Sequence, residues 1–237
     1  MTNDRIPVLS ERMSLVAEMV TRGNKCADIG CDHGYVAIWL CKTGRSPHVI
    51  AADVRKGPLK SAEENAIAFG CGENVECRLG DGLTVLERNE AESIIIAGMG
   101  GRTMISILDG SPGIRDAASE LILEPQSEIK EVRRYLCANG FEITDEALVR
   151  EENKYYPVIK AVRSVKADVL SEEEYCFGPC LIRNKDPLLK EMIMKRRKEL
   201  YSIRNELANG KDGSALKRLR EVEDELMMTG RVLENYE

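Results

Sequence analysis

The chain has 237 residues, 43% of them hydrophobic, which is enough for one full α/β domain and a smaller second element. A net charge of −6 argues weakly against a nucleic-acid partner, and no apolar run reaches the ~18 residues of a membrane-spanning helix. The polar start of the chain lacks the apolar segment of a signal peptide. We therefore expect a cytoplasmic protein whose eight cysteines stay reduced. Cys176 and Cys180 lack a second pair or a nearby histidine, so no metal site is predicted.

Apolar spacing predicts alternating helices and strands along the first 140 residues. Leu9, Met13, Val16 and Val20 repeat with a helical period behind Ser10, which can cap a helix over 10–21. Further along the chain the pattern predicts strands 25–29, 48–53, 75–79, 93–97 and 121–123, and helices 35–42, 58–69, 103–108 and 127–138, with a short helix after 80–82. Short apolar strands separated by helices are typical of a parallel sheet covered on both faces.

The pattern changes after residue 140. Residues 141–149 and 157–162 look like two strands joined by a turn at 151–154, which predicts an antiparallel hairpin closing the sheet. Five strand–helix steps followed by such a hairpin are typical of a Rossmann-like methyltransferase core. After about residue 165, apolar residues step by 4 and 3 around a break at 209–213, which predicts an antiparallel helical hairpin. The predicted domains are 1–165 and 166–237.

Polar or glycine-rich segments follow four of the predicted strands. Ligands of open parallel sheets bind beyond the carboxyl ends of the strands. In Asp28–Gly34, glycines allow close approach of a ligand, and Asp53 can accept hydrogen bonds from ribose hydroxyls. Asp81-Gly82 can meet an adenine amino group, and Ala97–Gly101 is predicted to be a flexible loop beside a flat substrate. Each feature alone also fits a tight turn or a helix cap, but together they predict a nucleoside-containing cofactor.

Asp32 decides which cofactor is expected. In Gly30-Cys-Asp-His-Gly34 it occupies the position of the second glycine of a dinucleotide-binding fingerprint. A carboxylate there would repel a pyrophosphate, but it suits the ammonium or sulfonium of S-adenosylmethionine. An NAD-dependent oxidoreductase is the disfavoured alternative.

Several motifs together carry a family resemblance. They are Leu9-Ser-Glu-Arg-Met13, Ala27-Asp-Ile-Gly-Cys-Asp-His-Gly-Tyr35, Lys56-Gly-Pro58, Arg78-Leu-Gly-Asp-Gly-Leu83, Ile96-Ala-Gly-Met-Gly-Gly101, Glu124-Pro-Gln126 and Tyr155-Tyr-Pro-Val-Ile159. Over about residues 9–163 the chain resembles the bacterial tRNA (adenine-22-N1)-methyltransferase family. One departure is Glu124-Pro-Gln126, which usually reads Gln-Pro-Asn in that family.

The resemblance implies a class I, Rossmann-like enzyme that transfers a methyl group from S-adenosyl-L-methionine to N1 of adenine 22 in the tRNA D-arm. Asp32 is the predicted catalytic carboxylate, stabilising the charge that develops on the base, and His33 would position the base or accept a proton late. The predicted cofactor residues are Asp28, Gly30, Asp32, His33, Gly34, Asp53, Val54, Asp81, Gly82, Gly98 and Met99. The fourth strand is not followed by the Asn/Asp-Pro-Pro-Tyr/Phe motif of exocyclic amine methyltransferases, which favours a ring nitrogen.

A basic stretch predicts where tRNA docks, because residues 183–220 carry 12 basic and 5 acidic side chains. The predicted RNA-binding residues are Arg12, Arg55, Lys56, Lys190, Lys195, Arg197, Lys198, Arg204, Lys217, Arg218 and Arg220. A solvated helical face is the simpler interpretation of the same charges. Two further alternatives are a class I methyltransferase acting on another RNA or a small molecule, and a non-catalytic RNA-binding protein. No metal or membrane partner is expected, and the oligomeric state is left open, with a monomer favoured.

Overall fold

The computed structural model describes residues 5–165, 169–207 and 213–237. The chain divides into two compact units, the first reaching Val169 and the second beginning at Leu170. The predicted domain boundary lies beside residues 166–168, and the predicted break at 209–213 falls largely on residues 208–212. Both segments lie outside the described residues, so these two assignments stay predictions.

The first unit is built on one seven-stranded sheet with the order β3-β2-β1-β4-β5-β7-β6. The strands are β1 Cys26–Ile29, β2 Val49–Asp53, β3 Val75–Leu79, β4 Ser93–Met99, β5 Glu120–Pro125, β6 Phe141–Glu151 and β7 Lys154–Arg163. The first five pair in parallel, and β7 pairs antiparallel with both β5 and β6. The predicted fold, a parallel Rossmann-like sheet with a terminal antiparallel hairpin, is confirmed.

Helices precede or connect the strands of this sheet. They are α1 Glu11–Met19, α2 Tyr35–Lys42, α3 Lys56–Ala68, α4 Gly101–Gly110, α5 Pro112–Arg115 and α6 Ile129–Ala138, with a 3₁₀ helix at Gly82–Val85. Ser10 caps α1 as predicted, since its side chain accepts a hydrogen bond from the Met13 N–H. The side chains of β1, β2 and β5 are buried along their whole length, as expected for strands with both faces covered.

One predicted loop is wrong. Ala97–Gly101 is not a flexible loop, because β4 continues to Met99 and α4 begins at Gly101. The pairing of β4 with β5 shifts register between Ala97 and Met99, and the intervening Gly98 has φ +74°. A bulged glycine of this kind redirects the strand end without making it mobile.

The second unit is helical. Its elements are α7 Glu172–Phe177, α8 Pro179–Arg183, α9 Pro187–Leu207 and α10 Gly213–Glu234. Leu200 of α9 packs against Val222 and Leu226 of α10, which confirms the predicted helical hairpin. The short helices α7 and α8 were not predicted, although Ser171 and Glu174 form a capping box that starts α7. Among the described residues, no helix has the length and apolarity needed to cross a bilayer, and no group of three or more metal-ligand side chains is found.

Candidate active site

A cavity of about 770 Å³ opens at the carboxyl ends of the parallel strands. Its size is that of a pocket for a cofactor-sized ligand. Most predicted cofactor residues line it, namely Asp28, Gly30, Asp32, Asp53, Val54, Asp81, Gly82, Gly98 and Met99. Asp53 ends β2 and Asp81 follows β3, whereas Gly98 and Met99 lie on β4, so the cavity extends to both sides of β1. This is the position where open parallel sheets bind ligands.

Asp28 is a deeply buried carboxylate of the cavity lining. Asp28 lies within β1 and is 5% exposed, and its Oδ2 has no hydrogen-bond partner among the described residues. Burial and the nearby charge of Asp53 raise the pKa of Asp28 to about 7. An unpaired buried carboxylate is costly, so this side chain fits a cationic ligand group that would complete its pairing.

Asp53 organises the end of β2. Its carboxylate accepts hydrogen bonds from the backbone N–H groups of Arg55, at 2.8 Å, and of Asp32, at 3.2 Å. Asp53 is 4% exposed, yet it borders the cavity. The two bonds hold the turn after β1 against the turn after β2. They leave acceptor capacity on the carboxylate for ligand hydroxyl groups.

Asp32 lies in the turn after β1, where its backbone N–H donates to Asp53. Its φ is +50°, a left-handed conformation that aspartate tolerates better than most residues. Its exposed carboxylate is 3.4 Å from Arg55 Nη2 and 3.7 Å from His33 Nε2. Asp32 therefore faces the mouth of the cavity beside a cation.

His33 and Gly34 do not line the cavity, although both were predicted to bind the cofactor. The His33 side chain is half exposed, and its backbone carbonyl accepts a hydrogen bond from Asn65 Nδ2. Gly34 has φ +73°, and a Cβ there would lie 2.8 Å from that of Ala62 in α3. Its glycine is thus explained by the contact of α2 with α3 rather than by a ligand.

Two glycines of the cavity lining differ in what surrounds them. Gly30 has φ +77°, and a Cβ on it would collide with the terminal methyl of Met99. A Cβ on Gly98 would meet nothing within 4 Å, so at that point the backbone borders open space. Met99 therefore covers the glycine turn after β1 from the neighbouring strand.

Arg12 was predicted to contact tRNA phosphates, but the structure pairs its guanidinium within the protein. Its Nη1 lies 3.2 Å from Glu124 Oε2, its Nε lies 3.3 Å from Glu151 Oε2, and its guanidinium carbon lies 4.6 Å from the centre of the Tyr156 ring. The side chain is only 19% exposed. Glu124 is fully buried, which raises its pKa, and Arg12 opposes that effect. Arg55 and Lys56, by contrast, are exposed near the cavity mouth.

Two of the predicted RNA-binding residues of the second unit, Arg197 and Arg218, are engaged in contacts within that unit. Arg197 donates hydrogen bonds to the Leu226 carbonyl and Thr229 Oγ1 of α10, and Arg218 pairs with Glu221. The remaining members are Lys190, Lys195, Lys198, Arg204, Lys217 and Arg220. Of these, Lys190, Lys195 and Lys198 line a shallow groove of about 380 Å³ on α9, and Arg204 stacks on Tyr201 at 5.0 Å.

The sequence did not single out part of the cavity lining. Thr103, Ser106 and Ile107 lie on one face of α4, a spacing of 3 and 4 that could have marked them. Gln126 follows β5 and also lines the cavity. It was noticed only as part of a departure from the family pattern.

Comparison with known proteins agrees with this site. Residues 9–159 match the family model described as a methyltransferase domain. The tRNA (adenine(22)-N(1))-methyltransferase of Bacillus subtilis is 28% identical over 96% of this chain and 98% of its own length. A Streptococcus pneumoniae structure described as "a putative tRNA (m1A22) methyltransferase, in complex with S-adenosyl-L-methionine" is 30% identical, with a TM-score of 0.84 over 95% of this chain and 100% of that one.

The chain belongs to the tRNA (adenine-22-N1)-methyltransferase family. The family resemblance predicted from the motifs is thereby confirmed, and so is the assignment as an S-adenosylmethionine-dependent enzyme. The similarity covers both units, since the matched relatives and structures span nearly the whole chain.

Proposed function

We propose that this enzyme transfers a methyl group from S-adenosyl-L-methionine to N1 of adenine 22 in the D-arm of tRNA. The observation that supports it most is the buried, unpaired carboxylate of Asp28 inside the cavity at the strand ends. A cationic ligand group satisfies that carboxylate, whereas a pyrophosphate would be repelled by it and by Asp53.

The residues around the cavity fit this cofactor. Asp28 would hold the methionine ammonium, and Asp53 would accept hydrogen bonds from the ribose hydroxyls. Asp81, beside Gly82 after β3, would accept one from the adenine amino group, with Val54 covering the ring. The backbone at Gly98 borders open space, so a ligand could approach it closely there.

The bound cofactor supplies an electrophilic methyl group, and the electrons of its carbon–sulfur bond leave on sulfur as the bond from adenine N1 to carbon forms. N1 carries a lone pair at neutral pH, so the protein does not need a base to create the nucleophile. Its residues must align N1 with the methyl group and exclude water, and good alignment alone lowers the barrier by about 7–11 kcal/mol. Asp32 is proposed to stabilise the cationic base, with His33 beside it at 3.7 Å.

Adenine 22 must be released from its neighbours in the tRNA before it can react. N1 normally faces a base-pairing partner, so adenine 22 has to leave its stack to enter the cavity. Exposed lysines and arginines of α9 and α10 are proposed to hold the tRNA backbone, together with Arg55 and Lys56. The cytoplasm is the proposed compartment, and all eight cysteines are unbridged in the structure.

The test is incubation with S-adenosyl-L-methionine and unmodified tRNA, followed by nucleoside mapping by mass spectrometry. We expect 1-methyladenosine at position 22. Production of N6-methyladenosine, or no methylated product, would refute the proposal. Changing the target position to guanosine serves as the matched substrate control.

The proposed role of Asp32 is tested by Asp32→Asn, which keeps the shape of the side chain and removes its charge. We expect kcat to fall at least about tenfold, since a charged hydrogen bond contributes about 1.5–3 kcal/mol. Cofactor affinity should change less than kcat. A near-normal kcat would exclude Asp32 as the catalytic carboxylate.

A further inference from the structure

The cavity has two sides, and they differ in the groups that they offer. The sheet order places β2 and β3 on one side of β1, with Asp53 and Asp81 at their ends. On the other side are the ends of β4 and β5, with Gly98, Met99 and Gln126. Because Asp28, Asp53 and Asp81, the proposed polar partners of the cofactor, lie at β1, β2 and β3, the side at β4 and β5 is left for the methyl acceptor.

Two charged residues near that side are already paired. Glu124 Oε2 accepts a hydrogen bond of 2.7 Å from the Gly98 N–H and also pairs with Arg12. Arg12 in turn pairs with Glu151 and stacks on Tyr156. Neither side chain is available to read a base without breaking these contacts.

Gln126 is in a different situation. Its backbone N–H donates to the Met99 carbonyl at 2.8 Å, which fixes it beside the residue that covers the glycine turn. The residue is exposed and lines the cavity. Within residues 5–165, 169–207 and 213–237, the structure shows no hydrogen bond from its side-chain amide.

We propose that Gln126 holds the target adenine by its Hoogsteen edge, an inference that rests on the function proposed above. The amide oxygen accepts a hydrogen bond from the N6 amino group, and the amide nitrogen donates one to N7. A glutamine amide matches this pair of adenine atoms in both direction and spacing. The contact leaves N1 uncovered, whereas an amide bound to the Watson–Crick edge would block the atom that has to react.

The same contact favours the methylated state. As the bond to N1 forms, positive charge spreads onto the N6 amino group, which becomes a stronger hydrogen-bond donor to the amide oxygen. An interaction that strengthens during the reaction lowers the barrier to it. Guanine offers two acceptors, O6 and N7, at the same edge, so one amide cannot satisfy both, and adenine is selected.

The experiment pairs a protein change with a change of one atom in the substrate. Wild-type enzyme and Gln126→Ala are each assayed on tRNA with adenosine or 7-deazaadenosine at position 22, the latter having a C–H in place of N7. For the wild type, we expect the deaza substrate to lower kcat/KM about 3–10-fold, the effect of one neutral hydrogen bond. Gln126→Ala should lower kcat/KM on unmodified tRNA about 10–100-fold, and the deaza change should then add less than about twofold.

The decisive result is whether the effects of Gln126→Ala and of the 7-deaza change on kcat/KM are additive. Any effect of 7-deazaadenosine on tRNA folding is present with both enzymes and therefore cancels in this comparison. Equal deaza penalties for the two enzymes, or no penalty for the wild type, would overturn the inference. Ser127→Ala is the matched control at the adjacent exposed position, and it should keep the full wild-type penalty. Cofactor affinity of Gln126→Ala, measured by calorimetry, should remain within about twofold of wild type, which also shows that the variant is folded.

Failure of the proposed function has a separate signature. Wild-type enzyme would then leave adenosine 22 of unmodified tRNA unmethylated, and the inference would fall with it. Methylation of adenosine 22 by the wild type, with additive penalties in the cycle, would refute the role of Gln126 alone.

Discussion

Glu124 accepts a hydrogen bond of 2.7 Å from the backbone N–H of Gly98, which joins the end of β5 to the bulge in β4. The contact holds a glycine with φ +74° at the point where the strand turns towards the cavity. Glu124 is itself fully buried and depends on Arg12, 3.2 Å away, to compensate its charge. The position of Met99 over Gly30 therefore depends on a residue that does not line the cavity.

Two substitutions of Glu124 test separately the contribution of its charge and that of its hydrogen bond to Gly98. Glu124→Gln keeps an oxygen that can accept from Gly98, and Arg12 keeps its contact with Glu151. We expect it to lower the free energy of unfolding by less than about 1 kcal/mol, whereas Glu124→Ala, which removes both the acceptor of the Gly98 N–H and the partner of Arg12, should cost about 1–3 kcal/mol. Urea denaturation measures both, and equal losses for the two variants would contradict this role.

The raised pKa of Asp28 predicts a pH dependence of cofactor binding. With a pKa of about 7 in the fold, the carboxyl is protonated below that pH, and pairing with a cationic ligand requires it to ionise. Affinity for S-adenosyl-L-methionine should therefore rise between about pH 5 and 7, by at most about tenfold per pH unit, and level off above. Calorimetry across this range, in buffers of different ionisation enthalpy, should detect proton release on binding below pH 7.

Stability without ligand should change in the opposite direction over the same range. Between the unfolded value of 3.8 and about 7, the folded protein binds more protons at Asp28 than the unfolded chain does. The contribution of this group to the free energy of unfolding therefore falls as pH rises through that window. Asp28→Asn should flatten both profiles, and a variant that kept the wild-type binding profile would assign the titration to another group.

The contacts of Asp53 predict a separate effect, at the ribose of the cofactor rather than at its ammonium group. Its carboxylate accepts from Asp32 and Arg55 and is proposed to hold the ribose hydroxyls. Asp53→Ala should weaken S-adenosyl-L-methionine binding about 10–100-fold, as expected for lost hydrogen bonds to a charged group. The matched control is Glu64→Ala, an exposed carboxylate of α3 outside the cavity, which should leave affinity unchanged.

The sequence predicted the sheet and most of the cavity, because both follow from local patterns. Apolar runs mark the strands, and the acidic residues Asp28, Asp53 and Asp81 follow in sequence at their ends. What it missed depends on contacts between distant segments. Arg12 and Glu124 are 112 residues apart, and only the fold shows that they pair. Similarly, Gly34 has the φ expected of a ligand turn, but its neighbour proves to be Ala62 of α3.

Two adjacent residues of α9 are expected to have different roles, a structural role for Arg197 and tRNA binding for Lys198. Arg197 donates to the Leu226 carbonyl at 2.6 Å and to Thr229 Oγ1 at 3.0 Å, so it joins α9 to α10. Lys198 is exposed beside Lys195 at the groove on α9. Lys198→Ala should weaken tRNA binding and reduce the slope of log K against log salt by about 0.7–0.9, as expected for one lost phosphate contact, with no change in Tm.

Arg197→Met should instead lower the free energy of unfolding by about 1–3 kcal/mol, because it removes hydrogen bonds to groups of the neighbouring helix. The salt slope of tRNA binding should stay at its wild-type value, since this guanidinium is already engaged within the hairpin. Filter binding over a range of salt concentrations and thermal denaturation of both variants measure the two effects. A reduced salt slope with an unchanged Tm for Arg197→Met would assign Arg197 to the tRNA-binding surface and contradict the role argued from its contacts.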